Sequence, residues 1–391
     1  MKHKIEIDLF QSSHEELSSG FINELQLLLE GRIKHYLNLF DDLLQEPMHF
    51  CFLLIQPTNE LHWAALYDAR LSSSHYVQIN YNLNVFRRYW TENKSVFQDQ
   101  VDRTVLHELI HALDQQVIKE TNAVYRNRHL KVLDVQERSE AFWPILNYFS
   151  IVRNEGIATF SENLLIHGDV QFDNLSWEKN FIADLKDYMR LNDPQVDRSV
   201  RHVQNQLHEL NRRAYGHGAN LIAKMSIDSI GEVSNAQLIG ELLMMDLSEW
   251  IFLLLTQTSI EIQEVITEAF QAYDRRNRNV SLISLLRITK SDQQFFKKEL
   301  SKYCERRYTI LELEGKLTDH FDAFTVYDLS YTIHNMALEL LHHKNEESVE
   351  LIELALNYLM QDDDLLFDST SFIGLIDDWF VINGAGKFIG R

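Results

Sequence analysis

All four prolines of this chain, Pro47, Pro57, Pro144 and Pro194, lie in its first half. Beyond Pro194 no ring constrains φ or removes a backbone donor, so nothing of that kind stops a helix there. Five segments of that half carry apolar residues at helical spacing with charged residues between: Ala236 to Thr256, Ile260 to Arg276, Ser291 to Arg307, Thr325 to His343 and Glu347 to Met360. The pattern predicts a helical C-terminal domain over 233–391. At the other end, His14 to Leu44 reads as one or two helices broken or bent near Gly31, which makes 1–46 a helical segment. At 391 residues the chain exceeds one typical core, so two or three subdomains are expected.

The middle region, 47–232, carries the strand signals. His49 to Gln56 is a compact apolar run bounded by Pro47 and Pro57, and Leu61 to Leu71 is a second candidate. From His75 to Leu83 the pattern alternates, with Val77, Ile79, Tyr81 and Leu83 on one face and Gln78, Asn80 and Asn82 on the other. The fold expected is mainly α with a small mixed sheet, an α+β arrangement. The His75 to Leu83 strand is expected at the sheet edge, where an extended peptide can pair main chain to main chain.

Directly after this sheet comes His107-Glu108-Leu109-Ile110-His111. Residues four apart on an α-helix stand one turn above each other, so His107 and His111 can grip one metal ion while Glu108, one position round, reaches water activated there. Thr104-Val105-Leu106 before the motif and Ala112-Leu113 after it carry no charge, as a metal helix packed into a core requires. These flanks resemble the extended zincin signature.

A catalytic zinc needs a third protein ligand and an open position. Asn154-Glu155-Gly156-Ile157-Ala158-Thr159-Phe160-Ser161-Glu162 resembles the third-ligand helix of the gluzincin metallopeptidases, closest to the aminopeptidase N and leukotriene-hydrolase group. The resemblance implies a zincin-like catalytic domain over 47–232, its sheet packed on the metal helices, with Glu155 as the third ligand. On a helix Glu155, Thr159 and Glu162 share a face, so Thr159 and Glu162 can orient the ligand histidines from behind. Gly156 suits a site where the two metal helices approach closely. Glu137, Glu140 and His217 are the reserve ligands.

The resemblance spans about residues 48 to 225 and departs from the aminopeptidase group twice. The interval from His111 to Glu155 is longer, and the stretch from Gln115 to Arg138, rich in Asn, Arg and Lys, reads as a surface excursion. No segment resembles GxMEN, which anchors a substrate's free amine in that group; Glu60 is the nearest residue. The pattern is therefore closer to bacterial gluzincin-like families with HExxH, EGxAxY and YxxG elements. Tyr215-Gly216-His217-Gly218 supplies the last of these, and Tyr215 or His217 can stabilise an oxyanion there. A plainer reading makes Gly216 and Gly218 a helix break or a close helix crossing.

A net charge of −21 argues against nucleic acid as a partner. Arg275-Arg276-Asn277-Arg278 does not reverse that, and Asp362-Asp363-Asp364 lacks the alternating oxygens of a calcium loop. Cys51 and Cys304 form no disulfide framework. No leader-like h-region and no stretch of membrane-spanning length is present, so a cytoplasmic location away from the membrane is the expectation, with the oligomeric state left open.

The function expected is zinc-dependent hydrolysis of a peptide or protein substrate, with His107, His111 and Glu155 holding Zn2+ and Glu108 as general base. Two alternatives stand beside it: a zinc-bound helical scaffold without catalysis, and a zinc hydrolase of a non-peptide bond.

Overall fold

A computed structural model describes residues 3–11, 18–44, 47–56, 64–67, 72, 76–132, 136–168, 176–192, 196–197, 199–226, 232–245, 250–251, 253–255, 258–273, 292–302, 304, 307–324, 328–345, 348–361 and 376–389; within the helical spans, the side chains of 115–146, 270–273, 318–332 and 376 lie outside the description. The chain is mainly α with one small mixed sheet and divides into two compact units. The first gathers 1–123, 150–177 and 208–246; the second gathers 124–149, 178–207 and 247–391. No helix among the described residues is long and apolar enough to cross a membrane.

The sheet of the first unit is built from β1 (Lys4–Gln11), β2 (His49–Gln56), β3 (Ala65–Tyr67) and β4 (Tyr76–Asn82) in the order β1-β2-β4-β3. β1 and β4 run parallel to β2, and β3 runs antiparallel to β4. The apolar run of β2 forms a central strand, with Phe50, Phe52 and Leu54 fully buried. β4 corrects the expectation of a half-buried edge, because it lies between β2 and β3. Its polar face is covered as well, with Asn80 8% and Asn82 0% exposed. The edge nearest the helix of His107 and His111 is β3, the described strand of the Leu61 to Leu71 candidate. β1 is a strand where helix alone was expected; as the opposite edge it leaves Leu9 and Phe10 exposed, and its burial gives no clean alternation.

α1 (Ser19–Leu39) starts at Ser18, whose hydroxyl accepts from the Phe21 N–H, and runs unbroken through Gly31. After β4 come α2 (Leu83–Glu92), α3 (Lys94–Val132) and α4 (Gln136–Glu162). Most of the stretch from Gln115 to Arg138 is thus helical backbone. In α3, Val101, Val105, Leu106, Leu109, Ile110, Ala112 and Leu113 are buried, so the helix around His107 and His111 is apolar on nearly every side, as its uncharged flanks imply. A π-helical turn, Asn163–His167, closes α4, and Gly168 beyond it adopts φ 65°. α5 (Trp177–Leu191) and α6 (Arg201–Ser226) follow.

α6 contains Tyr215 to Gly218 without interruption, so the helix break is not formed and the close crossing is. A Cβ on Gly218 would lie 1.9 Å from the Val152 carbonyl oxygen and 2.6 Å from Gly156 Cα; one on Gly156 would lie 2.5 Å from Gly218 Cα. Gly156 therefore serves the approach of α4 to α6, not that of α4 to α3. Helix α7 (Asn235–Met244) ends well short of Thr256.

In the second unit the expected helices appear as α8 (Ile260–Tyr273), α9 (Gln293–Leu300), α11 (Asp328–His342) and α12 (Val349–Leu359), joined by α10 (Ile310–Phe324) and α13 (Ile376–Phe388), which were not anticipated. α9 stops short of Arg307 for a tertiary reason. The buried Asn357 side chain accepts from the Arg307 and Tyr308 N–H groups at 2.9 and 2.8 Å and donates to the Tyr308 carbonyl, holding that turn out of the helix. Glu60, Arg275 to Arg278 and Asp362 to Asp364 lie outside the described residues.

Gly218, in the crossing, and Gly216, outside it, predict opposite effects for the same substitution. Gly218→Ala drives a methyl group into backbone and should destabilise the chain by about 1–3 kcal/mol or more in urea unfolding. Gly216→Ala meets nothing within 4 Å and should stabilise helix α6 by up to about 1 kcal/mol. Equal effects of the two would refute the crossing.

Candidate metal centre

Helical spacing brings the two motif histidines together as their sequence implies. His107 Nε2 and His111 Nε2 are 3.1 Å apart, with ring centroids at 4.7 Å and planes at 82°. From α4, Glu155 Oε2 lies 3.1 Å from His107 Nε2 and 3.3 Å from His111 Nε2. Three ligand atoms thus form a nearly equilateral triangle. Metal–ligand bonds of about 2.0–2.1 Å in a tetrahedral arrangement place ligand atoms about 3.3 Å apart, so the residues fit a small divalent ion of the zinc type. The three side chains are 16, 17 and 20% exposed, which leaves one side of the triangle accessible. Among the described residues this is the one convergence of three His, Cys, Asp or Glu side chains suited to a metal ion.

Behind His107, Nδ1 is 2.6 Å from Glu162 Oε1, the orienting bond expected of that residue. Thr159 shares the face but hydrogen-bonds neither ring. Tyr215, on α6, stacks its ring on His107 at 6.0 Å and 21°. Burial, then the charge and hydrogen bond of Glu155, then Glu108, hold its hydroxyl protonated well above the ordinary tyrosine range. Positions 215 and 217 are about 200° apart around a helix, so both cannot face one point. His217 is buried, 7% exposed, and is not among the three side chains that converge. The side chains of Glu137 and Glu140 lie outside the described residues.

Glu108 is buried, 8% exposed, and points toward the sheet edge, where its Oε2 accepts from the Tyr67 backbone N–H at 2.6 Å. The register explains this contact. Ala64 turns its carbonyl to β4 and accepts from Asn82, so by alternation Ala65 and Tyr67 direct their backbone groups away from β4. Tyr67 carries no signal of this role in the sequence, since a backbone donor is independent of side-chain type.

Two further residues escaped the sequence reading. Arg153, 2% exposed, contacts both carboxylate oxygens of Asp114 through Nη1 at 2.9 and 3.0 Å. Asp114 stands one turn beyond His111, and Arg153 two positions before Glu155. Their only signal is a lone charge of each sign in two otherwise apolar stretches, Ala112-Leu113-Asp114 and Ile151-Val152-Arg153. No protein-family model, curated protein or solved structure matches this chain.

The side chains of the cluster form an ion-pair network. Burial alone lowers the His107 pKa, but hydrogen bonds to Glu155 and Glu162, with the charges of Glu108 and Glu162, outweigh it and carry it to about 10. Burial alone raises Glu155, and the bonds to His107 and His111 reverse that and hold it well below the carboxylate range.

A raised histidine pKa stabilises the fold fully below its unfolded value of 6.5 and loses that contribution as pH rises through about 10. The metal-free chain should therefore lose thermal stability over that window, while the metal-loaded chain, whose ligand ring is already neutral, should not. Metal uptake at about pH 8 should release a proton from His107, read by calorimetry in buffers of different ionisation enthalpy. Metal analysis should find close to one zinc per chain, and His107→Ala or Glu155→Ala should lower it strongly. Full occupancy in Glu155→Ala would move the third ligand elsewhere.

Proposed function

We propose that this chain is a zinc-dependent hydrolase, a metallopeptidase of gluzincin type that cleaves internal bonds of an extended peptide. The observation that carries the reading is the convergence of His107, His111 and Glu155 ligand atoms at 3.1–3.3 Å, with the Glu108 carboxylate on the same helix beside them. Two imidazoles and one carboxylate suit zinc and leave a coordination position open. A bound zinc supplies Lewis acidity, polarising a carbonyl and lowering the pKa of water toward neutrality.

The chain's own groups then divide the remaining work. Glu108 takes a proton from the attacking water and delivers it to the leaving amine; the Tyr67 N–H holds Oε2, which leaves Oε1 as the atom that moves the proton. Glu162 holds the His107 ring by Nδ1 and fixes which nitrogen faces the ligand triangle. Tyr215, kept protonated by its surroundings, has a hydroxyl to donate to the developing oxyanion. With the Tyr67 N–H engaged by Glu108, the outward backbone groups of Ala65 are what this edge offers an extended main chain, and Leu66 beside them is 45% exposed.

Glu108→Gln should retain metal and fold while abolishing hydrolysis, because an amide cannot accept the proton. Tyr215→Phe should raise the barrier by about 2.7–4 kcal/mol, and unchanged turnover would hand the oxyanion role to other donors. A peptide-library digest read by mass spectrometry, with Glu108→Gln as blank, should show internal cuts. Cuts only at the first residue would make the enzyme an aminopeptidase, and none from zinc-loaded protein would favour a non-peptide substrate or a metal-bound scaffold.

A further inference from the structure

We infer that Arg153 and Asp114 are positioning residues for the metal centre, their buried ion pair setting the separation of α3 and α4 and hence the reach of Glu155 to His107 and His111. The inference rests on the metal-binding reading above. Two of the three ligand atoms come from α3 and one from α4, so a shift between these helices opens the triangle directly. The two helices are joined by polar bonds on either side of it. On one side His107 Nδ1 meets Glu162 Oε1 at 2.6 Å; on the other Arg153 Nη1 meets Asp114 at 2.9 and 3.0 Å. Along α3 the order is His107, His111, Asp114, and along α4 it is Arg153, Glu155, Glu162. Antiparallel helices thus place Glu155 and His111 between two clamps.

The guanidinium is held from a third direction as well. Its Nε donates to the Met245 carbonyl at 3.0 Å, and Nη2 donates to the Met245 and Leu243 carbonyls at 2.7 and 3.2 Å, at the C-terminal end of α7. Nη1 also donates to Asn154 Oδ1 at 2.7 Å. A planar group satisfied on this many sides has one position available to it, which a lysine could not reproduce. Stability does not account for such a pair, since well-packed apolar residues in its place are often as stable or more so. What the pair provides is a fixed distance and register between two helices.

The full-length chain tests this with Zn2+ as ligand, by competition against a chromophoric chelator and by melting with and without the ion. Wild type is compared with Asp114→Asn and with the double variant Asp114→Asn, Arg153→Gln, which leaves no unpaired buried charge and stays readable if the single variant fails to fold. Both should bind Zn2+ about 10–100-fold more weakly, the range typical for groups that orient metal ligands. The rise in Tm given by Zn2+ should shrink with it, and the visible absorption of the Co2+-loaded protein should change intensity as the ligand geometry loosens. A merely structural pair would lower the melting temperatures with and without metal together, leaving the Zn2+ affinity unchanged; that result overturns the inference alone. Wild type that binds no Zn2+ overturns the metal-binding reading and the inference with it.

Discussion

Contact between the backbones of Gly156 and Gly218 is the constraint on which the centre depends. At that crossing a single methyl group would fall 1.9 Å from a carbonyl oxygen, so no other residue pair permits α4 and α6 to approach as closely. Each glycine costs its helix about 1 kcal/mol against alanine, and the loss is offset where neighbouring helices bury Val152, Ile157, Ala214 and Ala219 around the crossing. The position of the contact matters as much as its closeness. Gly156 adjoins Glu155, and Gly218 stands three residues beyond Tyr215, on the same face of α6. Bringing the backbones together therefore brings the Tyr215 ring over His107 and its hydroxyl toward Glu155.

The electrostatics of the cluster follow from that packing. Three carboxylates, Glu108, Glu155 and Glu162, surround two imidazoles in a half-buried site, where charges are screened less than on the surface. Without a cation the negative charge is answered by a proton on His107, which is why its pKa rises despite burial. A divalent ion and that proton are alternative solutions to the same excess of negative charge. His107 bridges the two acids, its Nδ1 2.6 Å from Glu162 and its Nε2 3.1 Å from Glu155.

Much of this was legible in the sequence because the features concerned are local. The i, i+4 spacing of His107 and His111, and the face shared by Glu155 and Glu162, need only helical geometry, and both places came out as expected. The central strand β2 was read from a continuous apolar run. Features that depend on distant pairing were not. β1 buries no clean face, so its strand shows only once β2 lies beside it. The glycines at 216 and 218 suggest a helix end by propensity, but a close neighbour turns one of them into a contact surface while leaving the other in open space. Pro144 lies within the bounds of α4, so a proline-free half predicts helix more safely than a proline predicts its end. The Thr309 to Glu312 capping pair, which opens α10, was a readable signal: Glu312 accepts from the Thr309 N–H at 2.8 Å.

Sterics and electrostatics govern different dimensions of the site. The glycine crossing limits how near α6 and Tyr215 can come to α4, a distance that neither salt nor pH alters. Polar bonds fix α3 against α4, and their sensitivity depends on burial. Arg153 and Asp114 are 2 and 6% exposed, so ionic strength reaches them little, whereas Glu162 and His107, at 15 and 16%, stand nearer solvent. Alkali should then disturb the His107 side of the triangle first, as that ring loses its proton, whereas burial raises the Asp114 carboxyl above its ordinary range, so acid acts on the Asp114 side. The Asp114 side adjoins His111 and Glu155, and the other side carries His107, whose ring would give up its proton for a bound cation.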